Sequence, residues 1–224
     1  ALQALDHPVD KTMDFALWSI VREHQAHWAP RFEAGKPVFG DKLPRLIFAM
    51  KALGKPLSLE SIFTSVENGS LTPTERKDAI SVISQVGSPG DLSRLLKLAP
   101  KEPAILEQLV TAAQIRKLQP NSGKESLLSF LDSKRSTVFA SAAKLAGLWK
   151  FAPARNKLVT AFTQAPAKRQ AAAEGLRFFG DEETIKLFLK LSKESPDEAT
   201  RAIAVKELAK IAPDRAAASA VTLM

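Results

Sequence analysis

The chain has 224 residues, 45% of them hydrophobic and 25% charged, with 10 Gly and 14 Pro; this composition excludes both a disordered tract and a collagen. It holds no cysteine, which removes disulfides, thiolate nucleophiles and cysteine-containing metal sites, and no apolar run approaches the roughly 18 residues that a membrane-spanning helix needs. The net charge of +8 is uneven: residues 1–100 carry 12 basic and 11 acidic groups, and residues 101–224 carry 20 and 13, a bias that suits an acidic partner, a phosphate backbone or plain solubility.

The chain opens Ala1-Leu2-Gln3 without an initiator methionine or the charged-then-apolar order of a signal peptide. It closes on Met224 inside a helical pattern, so it reads as a cut from a longer protein. Residues 1–40 form an irregular first unit. A long helix is expected from about Val9 to Trp28, with Asp6 or Asp10 as its cap, an interruption at Pro30, and a connector Gly35-Lys-Pro-Val-Phe-Gly40. That connector holds the one extended candidate, short and broken by a proline, so almost no strand is expected.

From there a fixed period governs the pattern. One apolar column runs Val21, Leu53, Val86, Leu118, Leu148, Phe179, Ile211, in steps of 30 to 33 residues. Three residues earlier stand Trp18, Met50, Ile83, Ile115, Leu145, Leu176 and Leu208; six earlier stand Phe15, Ile47, Ile80, Ala112, Ala142, Ala173 and Val205. Offsets of three and six lie on one stripe of a helix. Seven earlier, the slots are mostly small, as at Ala79, Ser141, Ala172 and Ala204, which suits close helix approach.

Pro44, Pro73, Pro103, Pro166 and Pro196 sit near the starts of these helices. Gly54, Gly87 and Gly180 follow the column, where a left-handed residue ends a helix at little cost. After each stop comes a shorter apolar pattern: Leu59, Ile62, Phe63 and Val66; Leu92, Leu95 and Leu96; Leu127, Leu128 and Leu131; Leu158 and Phe162; Ile185, Phe188 and Leu189. These predict partner helices, with Ser58, Asp91 and Asp181 near their starts. A hairpin of about 31 residues cannot bury its stripe alone, so stacked hairpins are required. The expected fold is an all-α, right-handed α-solenoid of six to seven hairpins: a single domain over 1–224, with 1–40 as a cap and 41–224 as repeats.

The segments AISVISQVGSPGDLSRLLKLA (79–99) and AAEGLRFFGDEETIKLFLKLS (172–192) resemble HEAT repeats, a likeness covering roughly 41–224. The opening LDHPVDKTMDFALWSIVREHQAHWAPRFEAGKPVFG resembles something narrower. It looks like the start of the helical-repeat region of large exported bacterial proteins that join a sugar-dehydrogenase-like propeller, HEAT repeats and a c-type haem domain. That resemblance implies a periplasmic setting and a spacer or docking role. No CxxCH motif or propeller sequence occurs here, so neither redox function transfers to any residue.

No reaction is written in the residues. His24 and His27 share a helical face, yet two ligands do not make a zinc site and HExxH is absent, so no metal and no cofactor are expected. GxSxG is absent, and the histidines cluster within the first 27 residues. Gly87-Ser-Pro-Gly90 lacks the preceding strand and the lysine of a phosphate loop. A partner surface is expected instead on the second helices, which line the inner face in HEAT folds: Arg94, Lys97, Lys124, Arg155, Lys157, Lys186 and Lys190, with Lys193 and Arg215 beside them and Trp149 as an aromatic contact. Trp18 is expected in the core. The leading expectation is a non-catalytic scaffold binding a protein or a neighbouring domain. The alternative is a nucleic-acid-binding solenoid, similar to HEAT-like DNA glycosylases, with a basic concave face.

Overall fold

A computed structural model of the chain describes residues 1–34, 36, 38–53 and 59–221. The expected stop at Gly54, the expected start at Ser58, Gly35 and Pro37 of the connector, and Met224 lie outside the described residues. Fourteen α-helices and no strand occur among the described residues, and no helix there is long and apolar enough to cross a membrane. The fold class is an all-α solenoid. Its helices group into two compact units, 1–97 and 98–224.

The first unit holds α1 (Lys11–Glu23), α2 (Gln25–Glu33), α3 (Leu43–Leu53), α4 (Glu60–Glu67), α5 (Pro73–Val86) and most of α6 (Pro89–Leu98). Helices α1, α3 and α5 stack in series. Three of the starts satisfy orphan amides locally: Asp10 accepts from the Met13 N–H at 2.8 Å, Thr72 and Glu75 form a reciprocal capping box with Pro73 at the first helical position, and Ser88 and Asp91 exchange the same pair of bonds at the start of α6. Asp6 does not cap. Its carboxylate binds Lys42 at 2.8 Å and the buried Arg45 at 2.5 Å, tying the 3-10 turn Leu2–Asp6 onto α3.

The long first helix is broken at His24 rather than at Pro30. In an unbroken helix the Val21 carbonyl would accept from the amide four residues on; here the Trp28 indole N–H takes it at 3.0 Å, and the chain turns before running through Pro30 to Glu33. The apolar stripe also departs from its expected register in α1. Leu17 and Val21 are buried while Phe15 is 71% exposed and Trp18 only half-buried, with Arg22 stacked over its ring. At about 100° per residue, Phe15 lies some 140° from the Leu17–Val21 seam.

The second unit holds α7 (Ile105–Arg116), α8 (Leu127–Phe130), α9 (Ser136–Leu148), α10 (Arg155–Gln164), α11 (Arg169–Phe179), α12 (Glu182–Glu194), α13 (Glu198–Ala209) and α14 (Pro213–Val221). Helices α7, α9, α11 and α13 stack in series, and α8, α10 and α12 each pack against the first helix of the following hairpin. Each hairpin is therefore closed by its neighbour, as the single apolar stripe demanded. Phe139, Phe162 and Phe188 are fully buried, Phe162 meeting Phe188 edge to face at 5.8 Å; each buried ring contributes roughly 2–3 kcal/mol.

Two expectations fail here for identifiable reasons. In α7 the buried positions are Ile105, Leu106, Leu109, Ala112 and Ala113, a stripe that leaves Ile115 75% exposed and places Leu118 beyond the helix end. Gly87 is extended rather than left-handed, with φ −63° and ψ 154°; it is glycine because a Cβ there would stand 2.4 Å from the Ile83 carbonyl oxygen and 2.9 Å from Asp91 Cβ. Left-handed residues do occur around helix ends, at Gly69, Lys117, Lys150 and Gly180, so lysine fills two of these slots despite the steric cost of a side chain at positive φ.

Candidate interaction surface

Of the nine expected cations, four (Arg94, Arg155, Lys157 and Arg215) are spent within the stack. In the first unit Arg94 on α6 reaches both Glu60 and Glu67 on α4, at 2.7 and 2.6 Å, with its guanidinium 4.2 Å from the centre of the Phe63 ring. Arg94 holds the Glu67 carboxyl below the usual range, and the two glutamates raise the guanidinium further. Lys97 is exposed with no partner among the described residues.

In the second unit Arg155, with a side chain only 12% exposed, binds Asp181, donates to Thr184 at 2.9 Å and lies 4.4 Å from the centre of the Phe179 ring. Lys157 binds Asp132 at 2.6 Å and the Leu128 carbonyl at 3.2 Å, and Arg215 binds Glu182 at 2.6 Å. Lys124 lies in a 3-10 turn and donates to Gln119 at 3.1 Å. Trp149 is 4% exposed, with its indole N–H given to the Leu118 carbonyl at 3.2 Å; its ring fills the seam between hairpins and offers a partner no face.

More such clamps had no signal in the apolar pattern. Lys150 Nζ donates to the Phe178 carbonyl at 2.6 Å and to that of Phe179, the last turn of α11, where cations oppose the negative helix end. That bond accounts for a lysine in a left-handed slot. Arg169 binds Asp197 at 3.1 Å, Lys144 binds Glu174 at 3.3 Å, and Arg177 meets the fully buried Glu207 at 2.8 Å. Lys124 apart, partners in these bonds are 25 to 34 residues apart, about one repeat. The basic side chains thus act as rungs between successive hairpins.

Burial alone would raise the Asp181 carboxyl, but the bonds from Arg155 and Thr184 outweigh it and hold the group at about 2; Asp6, bonded by Arg45 and then by Lys42, is also held at about 2. Both sit below the usual 3.8, so the unfolded chain takes up protons first, and the stabilisation present above pH 4 is lost as pH falls from there toward 2. Melting temperature should be flat from pH 7 to 5 and drop steeply below 4. Asp181→Asn should melt lower at pH 6 and show a shallower acid decline; a profile as steep as that of the parent protein would remove Asp181 from the account.

On α12 the charges divide. Asp181, Glu182 and Glu183 at its start are engaged by Arg155 and Arg215. Lys186, Lys190 and Lys193 are exposed with no partner among the described residues. Elsewhere, His24 and His27 are exposed with ring centres 6.1 Å apart, beside an apolar cleft of about 420 Å³ bounded by Leu2, Val21, Trp28 and Phe39. Among the described residues no group of three or more His, Asp or Glu is placed to hold a metal ion.

Residues 152–224, about a third of the chain, match the family model of HEAT repeats, and this match covers the hairpins built from α10 to α14. No curated protein and no solved structure matches the chain. The match supports the HEAT-repeat resemblance of the hairpins and does not extend to the narrower likeness of the opening segment.

Proposed function

We propose that the chain is a non-catalytic HEAT-repeat scaffold that presents the outward faces of its stacked hairpins to a protein or to a neighbouring domain of its parent. The observation supporting this reading is the spending of cations inside the stack. A groove for a phosphate backbone needs several arginines and lysines free to replace counterions, whereas Arg94, Arg155, Lys157 and Arg215 each hold a carboxylate of an adjacent element. The likeness of the opening segment further suggests a place beside redox domains in an exported, periplasmic parent, as spacer or docking element.

Titrating fluorescently labelled duplex and single-stranded DNA with the purified chain, at about 50 and 200 mM salt, tests the choice of class. No anisotropy change is expected at either salt. Binding at the lower salt that weakens by orders of magnitude at the higher would replace the scaffold with a nucleic-acid solenoid, and the test would then move to base excision.

A further inference from the structure

The clearest unspent chemistry on the molecule is the outward stripe of α12. Lys186, Lys190 and Lys193 follow the spacing i, i+4, i+7, which places them on one line of the helix. The residues that anchor α12, namely Thr184, Phe188 and Ser192, are fully buried. At about 100° per residue the lysine line falls diametrically opposite that anchor, so the ammonium groups lead away from the core over roughly 10 Å of helix. The acidic first turn does not neutralise them, because Glu182 is held by Arg215 and Glu183 by Arg155. Glu194, at the helix end, is the one exposed carboxylate left on α12 without a partner among the described residues.

We infer that this stripe is a docking surface for an acidic helical segment of a partner protein, carrying carboxylates one turn apart. The inference rests on the scaffold reading and names the partner's chemistry. Charge complementarity carries it: three unpaired ammonium groups, one turn apart, meet carboxylates repeating at the 5.4 Å pitch of a facing helix. A nucleic-acid backbone fits less well. The arginines of the flanking helices α10 and α14, whose planar forks suit phosphate, are engaged by carboxylates, and the remaining stripe is one helix wide.

The test uses two labelled peptides of about 20 residues, long enough for partial helix in water. One carries glutamates at i, i+4 and i+7 in an alanine background, and its twin carries glutamines at the same places. Anisotropy at about 50 mM salt, near which surface charges are weakly screened, should show binding of the glutamate peptide and none of the glutamine peptide. Lys186→Glu/Lys190→Glu/Lys193→Glu should weaken binding at least about tenfold, while reversal at the exposed Lys101 and Lys134 should leave it unchanged. Circular dichroism melting confirms that the triple variant is folded. Equal binding by the triple variant and the parent chain, or no glutamate-peptide binding at all, overturns the acidic partner. Should duplex DNA also fail to bind, the scaffold reading stands without it; salt-sensitive DNA binding removes both.

Discussion

Gly147→Ala should destabilise the second unit by about 3 kcal/mol and lower its melting temperature by roughly 6–12 °C, although alanine is the better helix former by about 1 kcal/mol. Gly147 lies in α9, where an added Cβ would stand 2.1 Å from the Gly175 carbonyl oxygen and 2.7 Å from Phe178 Cβ. Gly175, facing it from α11, would place its own Cβ 2.6 Å from the Ala143 carbonyl oxygen. Backbone lies on both sides of the seam, so no side-chain rotation relieves the contact and the helices must separate, loosening the packing around Phe139 and Leu176, both buried. Gly90→Ala supplies the comparison of opposite sign. Its Cβ would meet only the Ser88 hydroxyl at 3.6 Å, inside α6, so it should be neutral or stabilising by a few tenths of a kcal/mol. Thermal melting of the two variants beside the parent decides the matter; a Gly147→Ala protein as stable as the parent would mean that α9 and α11 are not held at backbone contact.

The fold class was legible because the stripe recurs where side chains are too small for any role but packing. Ala142 and Ala173 occupy the same slot as Ile47 and Ile80, and all four are buried. Register was less legible at α1 and α7, where a period of 32 continues in the letters but the helix has turned: Phe15 and Ile115 fall in apolar columns and lie on the outside. A period fixes which residues correspond, not where a helix begins or breaks. The break at His24 depends on an indole seven residues ahead of the carbonyl it takes, and the end of α7 depends on a lysine in a left-handed conformation. The glycines of the α9–α11 seam had a signal that went unused, since an isolated glycine inside a helical pattern usually marks close packing.

The expected surface was legible as charge and not as geometry. From letters alone Arg94, Arg155, Lys157 and Arg215 are indistinguishable from Lys186 and Lys190, since all are basic residues on second helices. What separates them is a carboxylate one repeat away in sequence and one hairpin away in space, a relation that exists only once the hairpins are stacked. Arginine shows the difference most plainly, because its fork reaches two groups while its plane covers an aromatic ring, as at Phe63 and Phe179. The count of 32 lysines and arginines therefore overstates the positive surface available to a partner. Acidic residues bind many of these cations in pairs, and the lysines of α12 are what remains on that element.

Arg177→Met should cost about 3 kcal/mol, and adding Glu207→Leu should restore more than half of it, although the double variant lacks both charges. Glu207 on α13 has no exposed surface; its carboxylate lies 2.8 Å from Arg177 Nε, at an angle outside hydrogen-bond geometry, and accepts from Lys210 at 2.7 Å and Gln170 at 3.2 Å. The Arg177 guanidinium, 22% exposed, also covers the Phe178 ring at 4.2 Å. Removing Arg177 withdraws one of two cations from a carboxylate that water cannot reach, and an undercompensated buried charge is far more costly than the absence of the pair. Leucine at 207 has no charge to satisfy and a volume close to that of glutamate. Urea unfolding of the parent, both single variants and the double variant gives the coupling between the sites directly. Additive single costs would mean that the ion pair contributes nothing beyond its separate side chains. A large positive coupling, recovered in the apolar double, would show the buried pair to be a requirement that each partner imposes on the other.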